Sequence, residues 1–116
     1  MSKFEIQYLR HINKECEFLL ISSKNLIEED FYENEILKRA FTRSLEIIGE
    51  ASKKVNADFR LKYYSIPWSD MAKMRDKIIH HYQGVDYEIV WDILKNKIPE
   101  LNFQIEQIIR EHDNKL

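Results

Sequence analysis

Only four residues in this chain resist a helix: Gly49, Pro67, Gly84 and Pro99. Inside a helix, Gly costs about 1 kcal/mol and Pro about 3 kcal/mol relative to Ala. With so few breakers among 116 residues, long helices joined by short turns are the economical solution. That length suits one domain, 1–116, with one hydrophobic core. The single Cys16 excludes an internal disulfide and fits a reducing compartment. No apolar run approaches membrane-spanning length, and the N-terminus lacks the apolar core of a signal peptide. A cytoplasmic protein without membrane contact is expected.

Periodicity places five helices. The first runs from about Phe4 to Ser22-Ser23, with Tyr8, Leu9, Ile12, Cys16, Leu19 and Leu20 as its apolar stripe. Glu28-Glu29-Asp30 reads as a solvated turn. The second helix runs from about Glu33 to Val55 and buries Leu37, Ala40, Phe41, Ser44, Leu45, Ile48, Ala51 and Val55. Arg39, Arg43, Glu46 and Glu50 share one flank of it, spaced to pair with one another. Gly49 in its middle is explained by a close helix crossing, or is incidental. Residues 56–67, "NADFRLKYYSIP", form an aromatic, basic connection. A third helix is predicted from Trp68, after Pro67, to Tyr82, ended by Gln83-Gly84. Asp86 caps the fourth and Pro99 opens the fifth, whose polar tail "REHDNKL" is expected to fray. Short connections imply antiparallel neighbours, so the predicted fold is all-α, an up-and-down bundle of about five helices.

The overall charge is −2, but it is unevenly spread. Residues 53–77 hold seven Lys/Arg against three Asp/Glu, while both flanking segments are acidic. A basic patch on an acidic body can hold a phosphate without coating all nucleic acid. A run of this size is also compatible with an ordinary solvated face.

The basic segment leads into "RDKIIHHYQGVD", residues 75–86. On a regular helix turning about 100° per residue, Arg75 and Tyr82 fall inside the apolar stripe of Trp68, Met71, Met74, Ile78 and Ile79. A guanidinium there needs an anion or a wet cleft. A structural ion pair with Glu46 or Glu50 is one reading, and a functional site is the other. The same wheel puts His80 on the far side. Arg75 and His80 then share a site only if the helix distorts towards Gly84 or two copies meet across a twofold axis. None of His11, His80, His81 and His112 are paired at the i, i+4 spacing of a helical zinc site. There is no glycine-rich phosphate loop and no nucleophile elbow. No metal and no cofactor are expected.

Arg75, His80 and Tyr82 form an R-x4-H-x-Y pattern. With "IPWSDMAKMRDKIIHHYQGVDYEIVWDILKNKIPEL" (66–101) and "FTRSLEIIGEAS" (41–52) around it, the chain resembles the HepT-like ribonuclease toxins of the HEPN superfamily. That resemblance implies a helical homodimer with a cleft between protomers. It implies a metal-independent RNA endonuclease that arrests growth, with Arg75 and His80 as the catalytic pair. It also implies a partner, a minimal nucleotidyltransferase antitoxin that silences the toxin by transferring AMP to Tyr82. Lys73, Lys77 and His81 are candidates for holding the RNA substrate. Two positions depart from the family's habit: Asp76 stands where Asn is frequent, and His81 where an acid is frequent. The chemistry is compatible with the residues, since RNA carries its own nucleophile, the 2′-hydroxyl. Histidine moves protons near neutral pH, and arginine offers a planar fork to two phosphate oxygens. The alternative from another class is a non-catalytic helical subunit that binds nucleotide or partners a minimal nucleotidyltransferase.

Overall fold

The computed structural model describes residues 3–115. Its core is laid down by three long helices. These are α1 (Lys3–Ser22), α3 (Glu35–Lys54) and α8 (Ile98–Asn114), with α1 packed between the other two. Leu9, Ile12, Cys16 and Leu19 are buried on α1, Phe41, Leu45 and Ile48 on α3, and Leu101, Ile105 and Ile108 on α8. These are the spacings of three and four that put apolar side chains on one helix face. Burial pushes the Cys16 thiol up to about 12, with Glu15 nearby adding to the effect. The fold is thus an all-α bundle, as the scarcity of breakers predicts.

Shorter elements fill the connections. The acidic run read as a solvated turn is helix α2 (Glu28–Glu33). Its Phe31 is fully buried, stacked on Phe41 at 5.4 Å, with the Trp91 ring tilted against it at 5.3 Å. One aromatic side chain therefore pins an otherwise polar segment, which no periodicity over six residues could reveal. The 56–67 connection contains α4 (Ala57–Lys62), capped by Asn56 through Phe59 N–H at 2.8 Å. The tail expected to fray is helical through Asn114, and Leu116 lies outside the described residues. Arg10 on α1 holds Asp113 near its end.

The largest difference lies at the third predicted helix. It is neither continuous nor as long as predicted. Helix α5 (Trp68–Ala72) ends at Lys73, α6 (Met74–Ile78) follows, and the chain then leaves helix altogether. Strands β1 (Ile79–His80) and β2 (Gly84–Val85) pair antiparallel, Ile79 opposite Val85 and His80 opposite Gly84. Helix α7 (Tyr87–Asn96) then runs on to α8. The β-branched Ile78-Ile79 pair favours extension. Gly84, at φ 78°, adopts the left-handed geometry that closes the three-residue turn 81–83. The break between α5 and α6 falls where α3 comes closest. A Cβ on Gly49 would meet the Met71 carbonyl oxygen at 3.0 Å and Met74 Cβ at 3.4 Å. The mid-helix glycine does mark a close crossing.

Candidate functional site

The broken helix rearranges what a regular wheel predicts. Arg75, on α6, is not inside an apolar stripe: its side chain is 68% exposed. Met74 and Ile78 take the buried positions on the same short helix. The guanidinium Nε lies 3.5 Å from Glu46 Oε2 on α3. One of the two acids predicted as structural partners is thus its partner, but the pair is open to water on the arginine side. The other predicted acid, Glu50, pairs with Arg43 at 3.3 Å along the same helix. Gly49 sits nearly one turn beyond Glu46, so the close α3 crossing is what brings this carboxylate under α6.

His80 ends β1, so the helical angle that put it opposite Arg75 no longer applies. Its Nε2 lies 3.5 Å from Asp86 Oδ2. Asp86 is fixed from several directions. Its backbone N–H donates to Ile78 O at 2.7 Å, and its other carboxylate oxygen accepts from Ile89 N–H at 3.2 Å to cap α7. A shallow hollow of about 410 Å³ opens here, lined by His80, Gly84, Asp86, Tyr87, Glu88 and Tyr32, with Gln83 and Val85. Tyr32 donates to Glu28 at 2.6 Å, and desolvation followed by this bond raises its phenol above its ordinary range. Among the described residues the lining holds two carboxylates and no lysine or arginine.

Tyr82 occupies the hairpin tip and is wholly exposed, with the His81 ring 6.1 Å away. It is not on an apolar stripe, because no helix reaches it. Lys73 is exposed at the α5–α6 break. Lys77 lies 3.4 Å from Asp70 and lines a second hollow of about 350 Å³ with Met71, Met74, Ile93 and Leu101, apart from His80. Within one chain, then, Arg75 is tied to α3 and His80 to the start of α7. The sequence reading took Asp86 only as a helix cap and missed its place beside His80. Five residues separate them, and only a hairpin folds that interval back.

The residues that carry this geometry lie within a match to the family model "Ribonuclease HepT-like", which spans residues 8–108. The chain belongs to the HepT-like ribonuclease family. A provisionally named RNase of Caldanaerobacter subterraneus subsp. tengcongensis is 49% identical over 104 residues, covering 90% of this chain and 93% of that protein. Another of the same provisional kind, from Methanocaldococcus jannaschii, is 42% identical over 116 residues, covering 99% and 96%. The "Probable ribonuclease HepT" of Thermococcus cleftensis is 39% identical over 108 residues, covering 93% and 98%. No solved structure gives a significant match. The HepT-like family thus spans the core helices, the broken α5–α6 segment and the hairpin together.

Proposed function

We propose that this protein is a metal-independent RNA endonuclease and the toxin of a cytoplasmic toxin–antitoxin pair, with Arg75 and His80 as its catalytic residues. The observation that carries the reading is the exposed R-x4-H-x-Y segment in a HepT-like chain. A guanidinium, an imidazole and a phenol all reach water within eight residues of an otherwise packed bundle. In the reaction, a base takes the proton of the RNA 2′-hydroxyl. The 2′-oxygen bonds to the adjacent phosphorus, and the bond from phosphorus to the 5′-oxygen breaks as that oxygen gains a proton. The products are a 2′,3′-cyclic phosphate and a 5′-hydroxyl. His80 transfers protons, and Arg75 offsets the charge gathering on the phosphoryl oxygens. An exposed ion pair is worth about 0–1 kcal/mol, so a substrate phosphate displaces Glu46 from Arg75 at little cost.

The His80 hollow, rimmed by two carboxylates, is poorly suited to a phosphate by itself. This supports a homodimer in which a second copy delivers Arg75, with Lys73 and His81 as further RNA contacts. Lys77, paired with Asp70, is the weakest of the substrate candidates. Silencing by AMP transfer to Tyr82 fits the same placement. The phenol is open to a nucleotidyltransferase partner, and an added phosphodiester there brings negative charge beside the substrate path.

The test is cleavage of RNA by purified protein in EDTA. Wild type releases cyclic-phosphate ends, and Arg75→Ala and His80→Ala stay folded but lose about 10²–10⁴-fold in rate. Protein co-expressed with its nucleotidyltransferase gains AMP mass on Tyr82 and ceases to cut. Folded variants that cut like wild type refute the assignment. AMP binding without any cleavage points instead to a nucleotide-binding partner subunit.

A further inference from the structure

Asp86 does two things at once. Its Oδ1 accepts the Ile89 N–H at 3.2 Å, while its Oδ2 faces His80 Nε2 at 3.5 Å. Its own N–H is anchored on Ile78 O at 2.7 Å, beside the β1–β2 pairing that fixes the His80 backbone opposite Gly84. Carboxylate and imidazole are thus held on the two ends of one short hairpin. The other ionisable groups around the hollow are Glu88 and Tyr87 from α7 and Tyr32 from α2, the last already donating to Glu28. Of the carboxylates lining this hollow, Asp86 is the one at ion-pair distance from the imidazole. Contacts of this length in a substrate-free site shorten when substrate closes it.

We propose that Asp86 is the positioning residue of His80, holding its Nε2–H so that Nδ1 is the nitrogen that exchanges protons with RNA. The proposal rests on the ribonuclease reading for its consequence but not for its geometry. A carboxylate accepts only, so it selects the imidazole tautomer with the proton on Nε2 and steadies the imidazolium once Nδ1 takes a second proton. Asparagine has one acceptor oxygen, and capping α7 occupies it. Its amide NH₂ then faces Nε2 and drives the proton to Nδ1, the wrong nitrogen for a base. The same substitution acts this way in the serine-protease triad, where it preserves geometry and costs activity.

Asp86→Asn and Asp86→Ser both keep a good helix cap, so both should fold with wild-type helical content. Each is expected to lower kcat about tenfold or more, with KM within about threefold, the pattern of a lost proton-transfer geometry. Asn56→Ala removes a cap of the same kind from α4, far from His80 in sequence, and should leave kcat unchanged. Nitrogen-15 NMR of neutral His80 supplies a readout independent of RNA. The proton sits on Nε2 in wild type and moves towards Nδ1 in Asp86→Asn. A wild-type protein with His80 protonated on Nδ1, or an Asp86→Asn variant with wild-type kcat and tautomer, overturns the proposal. If wild type cuts no RNA at all, the ribonuclease reading fails, and the tautomer alone decides the role of Asp86.

Discussion

Arg75 is the residue at which structural and functional readings separate. A buried ion pair loses about 3–5 kcal/mol when one partner is removed. Here the guanidinium is two-thirds exposed, so the pair is open to water on one side, although its partner Glu46 is mostly covered, with 21% of its side-chain surface exposed. Arg75→Met is therefore expected to change unfolding free energy by no more than about 1 kcal/mol, the range of an ion pair open to water, while cleavage falls about 10²–10⁴-fold. Denaturant unfolding beside the RNA assay checks both. A loss of several kcal/mol would make Arg75 a structural residue. The pair with Glu46 was legible in the sequence as one of two alternatives, because Glu46 shares a helix flank with other charges at pairing distance. What the sequence could not give was its exposure, which depends on where a neighbouring helix breaks.

At the scale of elements, the long helices were readable and the short ones were not. Four buried positions on α1 and the run from Phe41 to Ala51 on α3, with Val55 just past its end, repeat at helical spacing, and their faces emerge as predicted. The segment from Trp68 to Tyr82 reads equally well as one helix, since Trp68, Met71, Met74 and Ile78 are buried in helical sequence across the break. Local periodicity survives the interruption at Lys73, so the wheel gave no warning, and every angle beyond Ile78 was misplaced. Gly49 held the missing information, although only in part: a close crossing could be anticipated, but not that it meets the Met71 carbonyl. Helix propensity alone says Gly49→Ala gains about 1 kcal/mol. The 3.0 Å approach of a backbone oxygen says the opposite. A net loss of about 1–2 kcal/mol is expected from overpacking, with a matching fall in thermal midpoint and reduced cleavage as Glu46 and α6 shift. An alanine variant more stable than wild type would show that the crossing relaxes freely.

For the whole molecule, the separation of Arg75 from the acidic His80 hollow makes a composite site testable. Mixing Arg75→Ala with His80→Ala protein, then allowing subunits to exchange, yields pairs in which one cleft regains both groups. Random exchange makes half the dimers mixed, each with one of two clefts restored, so activity should recover to about a quarter of wild type. No recovery after demonstrated exchange would place both residues in one chain's site. The hairpin adds something different. Its tip carries Tyr82 clear of every buried contact, on a turn whose geometry is set by Gly84 and by backbone pairing rather than by the phenol. Bulk attached to that oxygen has nothing to displace, so a tagged and an untagged copy should melt alike. Under the proposed reading, conduct and durability are set by separate parts of the same chain, and a group added at the tip alters the first without touching the second.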